Sequence, residues 1–175
     1  MYTKDAIRFS LDLAEDSVLK SLATIDDAPL TFPTGKGGCH PLWVLGHLAF
    51  VEGLAYEILA GKENPAKEWA GLFGQDSTAT NNVAQYPPLA DVVARYMQLR
   101  RKNLQLLDSL SEIDLDKQTP WQPKGVEEHF ATYGKALLTL ALHQMAHRGQ
   151  ITDAIRSAGQ AVAIPVGSES WANHL

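Results

Sequence analysis

The chain has 175 residues, of which 45% are apolar and 20% charged, a composition that fits one globular domain (1–175) and excludes collagenous or disordered chains. Its formal net charge of -5 repels phosphate backbones and anionic lipid, so neither nucleic acid nor a membrane is an expected partner. The lone cysteine, Cys39, excludes an intrachain disulfide, and the charged start through Ser17 lacks the apolar region of a signal peptide, so a cytoplasmic location is expected.

Helical spacing dominates, with no convincing period-two strand, which predicts an all-α fold. Helix one is expected over about Asp5 to Thr24, with the stripe Ile7, Leu11, Ala14, Val18 and Leu22. Pro29 to Gly38, rich in Pro and Gly, reads as a loop. Pro41 suits the first position of helix two, about Pro41 to Ala60, which carries Val44, His47, Val51, Leu54 and Ile58 at steps of three and four. A histidine therefore occupies an apolar seam.

The stretch Gly61 to Pro88 is largely polar, with Trp69, Leu72 and Phe73 its only strong apolar cluster. It is long for a connection inside a bundle, which suggests a crossover or an active-site loop. Helix three, about Leu89 to Leu110, repeats Leu89, Val92, Tyr96, Leu99, Asn103, Leu106 and Leu110. Between Ser111 and Phe130, Thr119-Pro120-Trp121-Gln122-Pro123 forbids a regular helix. Helix four, about Ala131 to Ser157, shows Ala136, Leu140, His143, His147, Gln150 and Ala154, with Gly159 as its stop. A second stripe, Leu137, Ala141, Ile151 and Ile155, flanks the first, and periodicity alone does not say which is innermost. The tail from Gln160 has no helical period and is expected to wrap the bundle through Ile164, Val166 and Trp171. The expected architecture is a four-helix bundle with a long connection between helices two and three.

His143 and His147 are four apart, so on a helix they lie ~6 Å apart along the axis on one face, a spacing with which two imidazoles can share a metal ion. Three imidazoles on apolar seams are costly to bury without partners, and one metal would satisfy all three. His47, His143 and His147 are therefore the candidate metal ligands. The bland alternative is that His47 bonds a backbone carbonyl while the helix-four pair faces solvent. Three histidine ligands would leave a fourth position for water or substrate, as in catalytic sites. Imidazole suits zinc, nickel, iron or copper, and the sequence does not choose among them.

Gln150, Asn103 and Tyr96 could support the ligands, although each type is more often a satisfied core polar group. Gly149, inside a helix at a cost of ~1 kcal/mol relative to Ala, suggests close approach of a neighbouring helix or the tail. Cys39-His40 could pair a thiol with its base or add two ligands; an exposed cysteine beside a loop histidine is the plainer reading. The four tryptophans, 43, 69, 121 and 171, could line a pocket or simply pack. There is no Glu-x-x-His pair for a di-iron bundle, no HExxH, no complete phosphate loop at Gly35-Lys36-Gly37 and no G-x-S-x-G.

Two segments, Pro41-Leu42-Trp43-Val44-Leu45-Gly46-His47-Leu48 and His143-Gln144-Met145-Ala146-His147-Arg148-Gly149-Gln150, resemble the DinB-like four-helix-bundle metalloprotein superfamily over essentially the whole chain. The resemblance implies a three-histidine metal site at His47, His143 and His147. It also implies a divalent metal cofactor, a low-molecular-weight thiol used in transferase-like chemistry on a small-molecule substrate, and a homodimer. The catalytic residues are not identified by it. A metal-binding or stress-associated bundle without turnover is the alternative, and a bundle without any metal is a third.

Overall fold

The computed structural model describes residues 2–23, 25, 31 and 38–159. Within them the apolar repeats become four long helices, α1 (Thr3–Leu22), α2 (Pro41–Ala60), α4 (Leu89–Ser109) and α5 (Tyr133–Ser157), with a one-turn helix α3 (Ala70–Phe73) in the long connection. Short 3-10 turns complete the connections, and the described residues contain no strand. Most of the Pro29 to Gly38 loop and the whole tail from Gln160, with Ile164, Val166 and Trp171, lie outside the described residues.

The ends of the helices follow from where their free amides and carbonyls find partners. Tyr2 offers α1 no side-chain cap, and the Glu112 carboxylate accepts from the Thr3 and Lys4 amides instead, at 3.1 and 2.9 Å. Lys4 Nζ donates to the Asp108 and Leu110 carbonyls, so the start of α1 is tied to the end of α4. Pro41 opens α2 behind His40, whose Nδ1 accepts from the Trp43 amide at 3.1 Å. Gly61, at φ 65°, closes α2 in the left-handed conformation that glycine adopts without a Cβ penalty. Thr132 caps α5 by accepting from the Lys135 amide.

Two apolar clusters reveal the helix directions. One joins Val18 and Leu22 of α1, residues 42–49 of α2, Val92 and Tyr96 of α4, and Ile151 and Ile155 of α5. The other joins Ile7 and Leu11, Ala55 to Leu59, Leu107, and Ala136 to Ala141. Thus α1 and α5 run one way while α2 and α4 run the other. Because α2 and α4 are parallel, the chain leaving α2 must travel back the ~30 Å length of a twenty-residue helix before α4 begins. That return is the reason for the long Gly61 to Pro88 connection, which is a crossover.

Helix α2 packs against both α4 and α5, and α1 lies against α5. Central placement explains why α2 is apolar nearly all round. Among the described residues it is the one helix long and apolar enough to cross a membrane, and it is mostly buried within the bundle. The stripe Ile7, Leu11, Ala14, Val18 and Leu22 is buried as expected. In α5 the innermost stripe is Leu137, Ala141, Ile151 and Ile155, while the histidines sit half-buried beside it. In α4, Leu107 is buried in place of the expected Leu106.

Between the two apolar clusters lies a polar layer. The Glu52 carboxylate is wholly buried and accepts from Asn103 Nδ2 at 2.7 Å, from Arg100 Nη2 at 3.1 Å and from Gln144 Nε2. Tyr96 Oη donates to Gln144 Oε1 at 3.0 Å, and Glu15 of α1 approaches Arg100 Nε at 3.6 Å. All four long helices therefore contribute to one network, which sets their axial register.

Candidate metal centre

His47 enters the bundle interior from the second turn of α2, and its orientation has a traceable cause. Gly46 lets the Phe73 ring press against the helix: a Cβ on Gly46 would stand 2.1 Å from Phe73 Cε1. Phe73, seated without exposure, brings its carbonyl oxygen to 2.8 Å from His47 Nδ1. The Trp43 ring stacks on the imidazole, with centroids 5.1 Å apart and planes 5° apart. His143 and His147 approach from successive turns of α5. Their rings lie 5.3 and 4.7 Å from that of His47 and 4.4 Å from each other.

One ligand atom from each of the three histidines lies within 4.8 Å of the others, so the cluster could hold a metal ion. His47 Nδ1 donates to a carbonyl and His147 Nδ1 donates to Gln150 Oε1 at 2.8 Å, which makes Nε2 the atom of each ring that could ligate. The Nε2 atoms of His143 and His147 are 3.1 Å apart. Two ligands on a tetrahedral zinc at 2.0–2.1 Å would stand about 3.3 Å apart, so these nitrogens are almost at ligand spacing. Among the described residues His143 Nδ1 is buried without a hydrogen-bond partner, so, unlike the other two rings, His143 has no group fixing its orientation through that atom.

Burial holds all three rings neutral, the form that binds metal. It pushes His47 below its ordinary pKa, against the opposing pull of the Phe73 carbonyl. His143 falls to about 3 through burial reinforced by the other two imidazoles. His147 is lowered by burial, partly countered by Gln150.

The cluster opens into a cavity of about 530 Å³ between α2 and α5, roofed by Pro123, Val126 and Phe130 from the α4–α5 connection. The profile of the DinB superfamily matches residues 10–151. The chain belongs to the DinB superfamily. No curated protein matches it. As a DinB-superfamily chain, it carries its three histidines on α2 and α5 at the positions singled out by their spacing.

Other sequence candidates are redistributed. Gln150 does support a candidate ligand, but Asn103 and Tyr96 serve the Glu52 network and do not bond the histidines. His40 is a helix cap whose Nε2 meets the Thr80 carbonyl at 2.8 Å, so it is committed to structure rather than to Cys39. Cys39 is half-buried and lines the cavity, a correction to the exposed reading, and burial pushes its thiol up rather than activating it. Gly149 meets nothing within 4 Å among the described residues, so it seats no bundle helix. Trp43 lines the cavity, Trp69 packs against Phe73, and Trp121 is 41% exposed. Sequence reasoning missed the Phe73 carbonyl, the His40 cap and the buried Glu52. The one available signal for Glu52 was an acid within a largely apolar helix, a signal it shares with Glu57.

Proposed function

We propose that this DinB-superfamily protein is a metal-dependent enzyme in which His47, His143 and His147 hold one divalent ion. Its reaction would be thiol-dependent and transferase-like, or would use an activated water. The observation that carries the reading is the convergence of three neutral imidazoles at the end of a cavity of about 530 Å³. A divalent ion bound there would lower the pKa of a thiol or water at its open position, supplying a nucleophile near neutral pH.

The chain's own groups divide the remaining work. Phe73 and Gln150 fix the ring orientation of His47 and His147 through their Nδ1 atoms. Trp43 covers one face of His47 and excludes water from it. Burial pushes the Cys39 thiol up, and the reacting thiol in this reading is a separate low-molecular-weight molecule. The cavity accommodates a small-molecule partner, which a purely cross-linking metal site does not require.

A homodimer in the cytoplasm completes the reading. Leu138, Leu142 and Met145 are exposed along one face of α5, and Gly149 continues that stripe with nothing within 4 Å of it among the described residues; an apolar helix face of this kind suits a second copy.

The functional test pairs two variants in a panel of cellular thiols with electrophiles and of hydrolysable esters and amides. His143→Ala should lose metal and turnover together. Gln150→Ala should lose turnover with a smaller loss of metal. Absence of turnover by metal-loaded protein across the panel, with metal still raising its melting temperature, would favour a non-catalytic metal-binding bundle.

A further inference from the structure

The cavity has a chemical character that the histidines alone do not determine. On α2 it is walled by His47, Val51, Leu54 and Ile58, and on α5 by Ala136, Leu140, His143 and His147. From His47 to Ile58 is ~16 Å along one helix, so the space is elongated, with the imidazoles near one end. Apolar side chains dominate the remainder, and no Asp, Glu, Lys or Arg lines it among the described residues. Of its polar linings beyond the histidines, Thr139 already donates to the His129 carbonyl, Gln150 is engaged by His147, and Cys39 and Gln75 are uncharged.

A carboxylate, phosphate or ammonium placed along this wall would lose its hydration without gaining a counter-ion, at a cost of several kcal/mol. An uncharged hydrocarbon chain instead gains from every methylene it buries. We infer that the electrophilic substrate has a polar reactive head at the three histidines and an uncharged alkyl or acyl chain lying along the Val51, Leu54, Ile58 and Leu140 wall. This substrate class rests on the proposed function for its reactive head, while the chain-binding half stands on the cavity alone.

The test separates the two. Protein stripped of metal with a chelator is titrated calorimetrically with n-butanol, n-hexanol, n-octanol and n-decanol, and with octanoate as the charged control. Affinity should rise about threefold to fourfold per methylene until the chain fills the cavity, the equivalent of ~0.8 kcal/mol each. Octanoate should bind at least about tenfold more weakly than n-octanol. Leu54→Lys should reverse that preference, weakening n-octanol and strengthening octanoate, an outcome that misfolding cannot produce. If Leu54→Lys does not fold, Val51→Thr, close to it in shape, should weaken n-octanol about fivefold. Less than twofold gain per methylene, or equal binding of octanol and octanoate, overturns the inference even if the metal site is occupied. Chain-length dependence in a protein that never acquires metal would uphold the chain-binding wall and remove only the metal reading.

Discussion

Gly46 and Phe73 are in contact so close that the absence of a side chain at one fixes the position of the other: a Cβ on Gly46 would stand 2.1 Å from Phe73 Cε1 and 2.4 Å from Cδ1. The consequence reaches the next residue, because the Phe73 carbonyl is what orients His47. Gly46→Ala should therefore weaken metal binding as well as the fold. Its helix-propensity gain of ~1 kcal/mol is opposed by an overpacking cost of about 1–3 kcal/mol, since Phe73 has no exposed side from which to retreat. Urea unfolding and a metal titration measure the two effects. A Gly46→Ala protein that is more stable and binds metal as before would show that Phe73 does not position His47.

The buried Glu52 and Arg100 should be tightly coupled. Glu52→Ala leaves the Arg100 guanidinium, 1% exposed, with only the more distant Glu15 carboxylate, 3.6 Å from Nε, and should cost about 3 kcal/mol. Replacing both together, as Glu52→Leu with Arg100→Met, should recover most of that loss. A double variant as unstable as the single one would show that the network does more than compensate its own charges.

Acid should weaken the metal-free protein through its histidines. The unfolded rings protonate near 6.5, whereas folded His143 stays neutral down to about 3. Between those values the unfolded state binds the extra proton, so stability is lost as pH falls, by ~1.4 kcal/mol per pH unit for that one ring. Above pH 7 both states are neutral and this contribution is flat. Unfolding curves at several pH values for wild type and His143→Ala should diverge by this slope. Parallel curves would contradict the buried neutral ring.

The α5 stripe tests the dimer. Leu142, 63% exposed, becomes a buried apolar contact if a second copy covers it, so Leu142→Glu should convert a dimer to a monomer in light scattering. A wild-type monomer at working concentration would contradict the proposal.

Much of this architecture was legible in the sequence because Pro41, Gly61 and Pro88 punctuate helices whose apolar repeats are regular. The α2 range agrees with its expected bounds, and α1, α4 and α5 differ from theirs by one or two residues at their ends. The seams were misread in one respect. Val51 and Leu54 of α2, with His143, His147 and Gln150 of α5, repeat at core spacing but face the cavity. A cavity wall and a core face are both apolar and both follow the helical period, so periodicity does not separate them. Contacts made by backbone atoms, such as Phe73 O on His47, leave no trace in residue identity. The Glu52 network was hidden for a related reason: its members lie on four different helices, and only their packing brings them together.

The proposed enzyme depends on three imidazoles of α2 and α5 holding one divalent ion. Elemental analysis of protein purified without a histidine tag, together with its His47→Ala and His143→Ala variants, addresses it most directly. The wild type should carry about one divalent ion per chain, as a single three-histidine site requires, and either variant should lose nearly all of it while helical content persists. Folded wild-type protein that carries no divalent ion, and acquires none when zinc, nickel or iron is supplied, would contradict it.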